Sequence, residues 1–177
     1  MATDVFPYNL PSRLAMIRLI QETHPRFNLK EEYTHFDPPF ASPTETNPGR
    51  TFVKVEQTDL NLERHYVYRR LDLNITFKGG ITIKLDSPVT SRRIVEEINR
   101  VRDMNLGLDD VEMNDEPMGE PGQPLNYTMA AKEDSLVWYG SVPVYVESTD
   151  RPMNIRILED GSSRLVETGD YRLLEVK

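Results

Sequence analysis

The sequence predicts an α+β fold with a mainly antiparallel sheet, two helices and a small C-terminal β-ribbon of octad repeats. Two observations predict it. Segments in which apolar and polar residues alternate stand before and after a segment with helical spacing, an order that favours α+β over a parallel, doubly wound sheet. The end of the chain repeats a short pattern with a glycine in each complete copy, which is typical of strands joined by tight turns.

Three regions are expected within the 177 residues, a length that is enough for one ordinary domain and short for two. Residues 1–49 are predicted to form an N-terminal helix and a proline-rich extended arm. Residues 50–148 form an α+β core with a hairpin, a helix, an acidic loop and further strands. Residues 149–177 form a tail of β-repeats.

The first element is a helix over residues 11–23. Pro11 suits the first position of a helix, because its missing N–H has no partner there in any case. Leu10, Leu14 and Ile17 recur at helical spacing and form an apolar stripe. This stripe can pack on the chain's own sheet or on a neighbouring chain, and the sequence leaves both alternatives open.

The arm that follows contains four prolines between residues 38 and 48. Proline lacks a backbone donor, so this composition favours an extended, polyproline-like segment over a helix or a paired strand. The segment is either a plain linker or an arm that lies on a neighbour, because a stiff extended chain loses little entropy on docking. In the second case the docking residues are Pro38, Pro39 and Phe40.

Alternating residues mark the strands of the core. One strand is predicted over Thr51–Gln57, and residues 66–77 and 81–85 alternate in the same way around the turn Lys78-Gly79-Gly80. The second of these patterns is the strongest hairpin signal in the sequence. Later strands are expected at Tyr127–Ala131, Ser135–Tyr139 and Val142–Val146.

A second helix is predicted at about residues 88–104. Either Ser87 caps it, with Pro88 at the first helical position, or Thr90 caps it after a short turn. Its core stripe is expected from three residues at helical spacing: Ile94, Ile98 and Val101.

An acidic loop follows this helix. It has six carboxylates and no basic residue between positions 109 and 120: Asp109, Asp110, Glu112, Asp115, Glu116 and Glu120. Prolines and a glycine come next, so the segment is predicted to be long and solvated. The spacing fails for an EF-hand, since Asp115 stands where glycine is needed and Pro121 where a bidentate glutamate is needed. A looser cation site stays open.

The tail carries the most specific pattern in the chain. An octad of Arg, two apolar residues, Glu, a variable residue, Gly and two more occurs at 156–163 and 164–171, and a third copy begins at Arg172. Gly161 and Gly169 are the predicted turn glycines, because tight turns need a residue that tolerates positive φ. A ribbon this small is marginal alone. It is therefore expected to contact the main sheet or another chain through its leucines: Leu158, Leu165, Leu173 and Leu174.

Composition argues against several classes of function. The chain has 21 basic and 29 acidic residues and a net charge of −8, whereas nucleic-acid binders cluster basic residues against phosphates. No segment reaches the roughly 18–20 apolar residues of a membrane span, and no basic and apolar leader is visible at the start. Cysteine is absent, which excludes disulfides and thiolate catalysis and fits synthesis in a reducing compartment.

Patterns that carry catalysis are missing as well. The sequence has neither a glycine-rich phosphate loop nor a nucleophile elbow. His24, His35 and His65 stand apart, and although Glu31 or Glu32 can share a helical face with His35, no second histidine lies within a turn. The sequence thus predicts a protein that is not an enzyme, without catalytic residues, metal or cofactor.

Two parts of the sequence resemble proteins of tailed bacteriophages. The repeats from Ile157-Leu158-Glu159-Asp160-Gly161 to Arg172-Leu173-Leu174-Glu175 resemble the short LLEDG-type repeats of phage structural proteins. The run Tyr127–Ala131, followed by Ser135–Gly140, is similar to virion proteins of large contractile-tailed phages. The likeness covers residues 65–177.

This resemblance implies a structural subunit of a virion, in the head, neck, tail or baseplate, that is made in the host bacterial cytoplasm. Its partners are then other virion proteins and copies of itself, with no nucleic acid and no membrane. The alternative is a phage-encoded acidic protein that binds and regulates a host enzyme through the acidic loop. A small enzyme with an unfamiliar site is a third hypothesis.

Overall fold

A computed structural model describes residues 8–41, 50–150, 154–157 and 163–166. It has the expected α+β class, with three α-helices and mostly antiparallel strands among these residues. In chain order the elements are α1 (Ser12–Thr23), β1 (Thr34–Phe36), β2 (Phe40–Ala41), β3 (Arg50–Gln57), β4 (Leu62–Arg69), β5 (Leu71–Asp72), α2 (Leu73–Thr76), β6 (Ile81–Leu85), α3 (Ser91–Arg102), β7 (Leu125–Ala130), β8 (Trp138–Tyr139), β9 (Ser141–Ser148), β10 (Asn154–Ile157) and β11 (Ser163–Val166). Single turns of 3-10 helix lie at Glu31–Tyr33 and Thr58–Leu60.

The first sheet consists of β1, β2, β3 and β4, all antiparallel. Strand β3 lies in the middle, with β4 along one side and the short strands β1 and β2 along the other. Because side chains alternate between the faces of a strand, Val53 and Val55 point into the core while Phe52 and Lys54 lie on the outer face.

The second sheet consists of β6, β9 and β7, with β9 in the middle. Strand β9 is parallel to β6 and antiparallel to β7. Its residues Val142, Val144 and Val146 are buried, and so are Ile94 and Ile98 of α3, which lies against β6. Helix and sheet thus bury their apolar sides in one core.

Helix α1 packs into that same core. Met16, Ile17 and Ile20 are buried among the side chains of both sheets. Of the two alternatives for the apolar stripe, packing within the chain is the one observed for Ile17. None of the helices in the described ranges is long and apolar enough to cross a membrane.

The predicted hairpin around Lys78-Gly79-Gly80 is wrong. The residues before the turn form a short helix, α2, because the Asp72 carboxylate accepts hydrogen bonds from the N–H groups of Asn74 and Ile75. The strand after the turn, β6, pairs in parallel with β9, which comes about sixty residues later in the chain. Alternation alone does not distinguish a strand from a short capped helix of the same length.

Other predicted elements differ in detail. Thr90 caps α3 by accepting a hydrogen bond from the Arg93 N–H (3.2 Å), which confirms the second of the two starts considered. Val101, one residue before the end of α3, is 52% exposed, so the predicted core stripe is wrong at this position. The strand predicted over Ser135–Tyr139 is reduced to β8, and β8 pairs in parallel with β5.

The tail contains an antiparallel ribbon of β10 and β11, with Ile155 opposite Leu165. This ribbon is the feature predicted from the octads. The remaining predicted residues of the tail lie outside the described ranges: Leu158, Gly161, Gly169, Leu173 and Leu174.

Candidate functional site

The histidines and carboxylates of the described ranges form no group of three or more that could hold a metal ion. His24 lies against the rings of Phe27 and Tyr66, with centroids 5.9 and 5.7 Å away. His35 lies in β1, and its Nε2 is 3.8 Å from Asp37 Oδ1. The helical face considered for Glu31 or Glu32 with His35 is not formed, because a 3-10 turn ends before the strand begins.

A cleft of about 280 Å³ lies beside α1 and β1. Its walls carry charges of both signs, among them Arg13, Asp37 and Lys132. Arg13 donates hydrogen bonds to the backbone carbonyls of Glu31 and Thr34 and thereby ties α1 to the segment before β1. The Arg13 guanidinium is therefore already engaged in hydrogen bonds within the chain.

Ser12 lines the same cleft, and its hydroxyl contacts a buried carboxylate. Ser12 Oγ donates to Asp110 Oδ1 at 2.5 Å. An activated serine nucleophile instead donates its proton to a base, usually a histidine, that is itself held by a third group. With a carboxylate as its acceptor and 6% exposure, Ser12 is an anchor of α1.

Asp110 is the centre of this buried contact. Its carboxylate also accepts hydrogen bonds from Ser135 Oγ (2.9 Å) and the Gly107 N–H (3.0 Å). Ser135 Oγ in turn accepts the Trp138 N–H at 3.1 Å. Burial raises the pKa of Asp110 above its ordinary value, although the three donors act in the opposite direction. The expectation of a wholly solvated acidic loop is therefore wrong at Asp110, which is 1% exposed.

Two further acids of the loop form ion pairs within the chain. Asp115 Oδ1 is 2.8 Å from Arg92 Nε, and Glu112 Oε1 is 3.8 Å from Lys132 Nζ. Their carboxylates are exposed, so these pairs are worth little on their own. Part of the loop's negative charge is nevertheless already matched by the chain itself.

The outer face of the first sheet carries an apolar row. Phe40, Phe52 and Val67 lie directly opposite one another on β2, β3 and β4. The rings of Phe40 and Phe52 are stacked with centroids 5.6 Å apart. Phe40 is 53% exposed and Val67 47% exposed, so the row lies open. We call these three residues the apolar row.

A charged cluster lies beside the apolar row. Lys54 Nζ is 2.6 Å from Glu56, 3.5 Å from Asp37 and 3.5 Å from Glu63. The hydrogen bond to Glu56 is the main reason why the pKa of Lys54 is raised well above its ordinary value. The outer face of the first sheet thus has an apolar part and a fixed charged part.

The outer edge of this sheet is strand β4. It pairs with β3, and no other described strand pairs with it. Five of its eight residues are exposed: Glu63, Arg64, His65, Val67 and Arg69. An edge strand of this length presents a row of backbone donors and acceptors to a further strand.

The second sheet has a different outer face. Across its strands Thr82, Tyr145 and Asn126 lie opposite one another. Lys84 and Glu147 are also opposite, with 3.4 Å between Nζ and Oε2. This face is polar, and its charges are paired across neighbouring strands.

The predicted interface residues fall into different environments. Ile17 is buried inside the chain, whereas Leu10 and Leu14 are half-buried. Pro38 and Phe40 are exposed, Pro39 is half-buried and Leu165 lies in β11. Of these residues, only Phe40 belongs to the apolar row.

Sequence reasoning missed the other two members of that row. The predicted alternation over residues 66–77 includes Val67, but the neighbouring residues Tyr66 and Tyr68 are the ones that turn toward the core. The available signal was the octet Leu62–Arg69, in which the large residues Leu62, Tyr66 and Tyr68 all stand at even positions.

The fold and these surfaces define an α+β protein with one partly apolar and one polar outer sheet face. The chain belongs to DUF7941, a family of unknown function whose model matches residues 6–157. The match spans α1 and both sheets and ends with the last residue of β10. The chain matches none of the curated proteins and none of the solved structures.

Proposed function

We propose that the protein is a structural subunit of a tailed-bacteriophage particle and that it acts by protein–protein assembly. The apolar row on the outer face of the first sheet is the observation that carries this function. An ordered row of aromatic and aliphatic side chains that stays open to water is typical of a surface that another protein covers. The placement in a phage particle is supported by the resemblance of residues 65–177 to virion proteins.

The mixture of residues on this face suits a protein partner. The stacked pair Phe40 and Phe52 supplies rigid contact area, as aromatic residues do at the centre of interfaces. The cluster around Lys54 lies beside them and supplies a charged rim whose geometry is fixed by three carboxylates. A partner with an apolar centre and matching polar groups around it would complement both parts.

The acidic loop offers less support for the alternative function, the binding of a host enzyme. Asp110 is buried, and Asp115 and Glu112 face Arg92 and Lys132 of the same chain. A basic partner would have to compete with these internal pairs. Within the described residues we find no observation that favours the alternative.

Mass spectrometry of purified particles tests the proposed function. We expect the chain at a fixed copy number in particles from infected cells, and its absence from washed particles would contradict the proposal. Phe40→Thr should lower the amount that is incorporated, because it removes the most exposed part of the apolar row. Tyr145→Thr, at a comparably exposed position on the second sheet (40%), is the matched control and should incorporate normally.

A further inference from the structure

The open edge of β4 restricts how another strand can pair with it. Alternate residues of β4 direct their N–H and C=O groups toward β3, so the remaining alternate residues direct theirs to the open edge. In a symmetric antiparallel pair, a residue of the second kind must lie opposite another of the same kind. The two-fold axis then lies midway between one residue and the same residue of the second copy, and that residue is opposite itself.

We propose that β4 pairs in this antiparallel way with β4 of a second copy of the chain, with the two-fold axis at Tyr66. The pairing joins two first sheets into one continuous sheet. It rests on the proposed assembly function and names one of the partners.

The charges of β4 select this axis. With the axis at Tyr66, Glu63 lies opposite Arg69 of the second copy, and the symmetry produces this opposite-charge pair twice. With the axis at His65, two histidines face each other and no opposite charges meet. With the axis at Val67, His65 lies opposite Arg69 of the second copy, so two basic residues face each other. Of these three registers, only the Tyr66 register places opposite charges against each other.

The neighbours of Glu63 and Arg69 within the chain are consistent with this register. Arg69 is exposed on the outer face of β4, so its guanidinium is accessible to a carboxylate on the open side. Glu63 approaches Lys54 with Oε2 at 3.5 Å, and a carboxylate has two oxygens that accept. The existing contact and the proposed one can therefore coexist.

The apolar row becomes continuous in the same register. Val67 lies opposite His65 of the second copy, which makes the two Val67 residues diagonal neighbours across the new strand pair. Each Val67 is the end of a row that continues through Phe52 to Phe40. The two rows meet at the axis and give the assembly partner an apolar surface about twice as long.

Charge reversal tests the pairing on the full chain. The wild-type chain should show a concentration-dependent dimer in sedimentation equilibrium. Glu63→Arg and Arg69→Glu should each weaken the dimer about tenfold or more, because each places like charges opposite twice. The double variant restores opposite charges and should recover most of the affinity. Lys84→Glu, on the second sheet, is the matched control and should leave the dimer unchanged.

The outcomes separate clearly. A wild-type chain that stays monomeric at every concentration overturns the proposal, and so does a double variant as weak as the single ones. Thermal melting of each variant shows whether it remains folded, since all of these side chains are exposed.

Cysteine pairs test the register directly, because the natural chain has no cysteine. His65→Cys and Val67→Cys are mixed as separately tagged chains and oxidised. A cross-link is expected in the mixture, where the two positions are opposite, and not in either variant alone, where the cysteines are diagonal and too far apart. Equal cross-linking in all three samples would overturn the register.

This test is independent of the one for the proposed function. If the chain is absent from particles and the double charge variant still recovers the dimer, the pairing stands and the function fails. If the chain is a particle component and Glu63→Arg changes neither its dimerisation in sedimentation equilibrium nor its incorporation into particles, the pairing fails and the function stands.

Discussion

The first and second sheets both bury apolar residues in the core, but they present different outer faces. In the second sheet every residue of the row Thr82, Tyr145 and Asn126 carries a polar group, and the charges of Lys84 and Glu147 are paired. In the first sheet the apolar row lies open beside a charged cluster, and β4 has an unpaired edge among the described strands.

This difference separates the parts of the chain that hold the fold from the parts that are free for another use. The residues around α3, β9 and Asp110 are enclosed, so substitutions there should cost stability. The outer face of the first sheet contributes little to the core, so substitutions there should spare stability and affect association.

The largest loss is expected from Ile98→Ala in α3. Ile98 is fully buried, and removing it leaves a cavity, so the free energy of unfolding should fall by about 3 kcal/mol. Val101→Ala in the same helix is the control, because Val101 is 52% exposed and should change the value by less than about 0.5 kcal/mol. Urea denaturation measures both. Equal losses in the two variants would contradict the assigned core face of α3.

Asp110→Ala should cost about 2 kcal/mol. The substitution leaves the hydroxyls of Ser12 and Ser135 and the Gly107 N–H without their buried acceptor. The exposed neighbour Asp109 provides the control, and Asp109→Ala should be nearly neutral by the same urea measurement. If both variants are neutral, Asp110 does not anchor α1.

Stability should also depend on pH with opposite signs at two carboxylates. Burial raises the pKa of native Asp110, so the native state holds that proton more tightly and loses stability as pH rises from the ordinary carboxyl pKa of about 3.9. Hydrogen bonds from Ser87 lower the pKa of Asp150, so its contribution is lost as pH falls through the lowered value.

The variants Asp110→Asn and Asp150→Asn compare these two signs. The cost of Asp110→Asn relative to wild type should shrink as pH rises above about 4, whereas the cost of Asp150→Asn should grow as pH rises from acid toward about 4. Urea denaturation across this range measures both trends. The same sign in both variants would contradict the assigned environments.

Thr90→Ala should lower the free energy of unfolding by about 1 kcal/mol, because the hydroxyl that accepts the Arg93 N–H is lost. Thr90→Ser keeps an equivalent oxygen and should retain most of the stability. A serine variant as weak as the alanine variant would show that packing of the methyl group, and not the cap, is responsible.

Val67→Thr should have the smallest effect on stability, less than about 0.5 kcal/mol, since threonine keeps the β-branched shape on an exposed strand position. Its expected effect is on association, because the substitution introduces a hydroxyl in the middle of the continuous apolar row. Melting temperature and sedimentation equilibrium on the same sample distinguish the two. A large loss of stability would mean that Val67 belongs to the core.

Local patterns predicted the elements whose cause is local. Helical spacing identified α1 and α3, and alternation identified β3, β7 and β9 within a few residues. Alternation failed between Leu71 and Phe77, where the side chain of Asp72 caps a short helix that has the same apolar spacing as a strand.

Contacts between distant segments were not predictable in this way. Asp110 accepts a hydrogen bond from Ser12, which is 98 residues away in the chain. Strand β6 pairs in parallel with β9, and α3 and the acidic loop lie between them in the sequence. A periodic pattern within one segment does not indicate which distant segment it contacts. The exposed position of Val67 also depends on which face of β4 turns toward the core, and that choice is made by the pairing with β3.

Hydrogen–deuterium exchange on dilute and concentrated samples tests most directly whether the first sheet is the assembling side of the chain. We expect that amides of β4 (Leu62–Arg69) become slower to exchange as the concentration rises, while those of β6 (Ile81–Leu85), an edge strand of the second sheet, do not change. Slower exchange in β6 with no change in β4 would contradict this expectation.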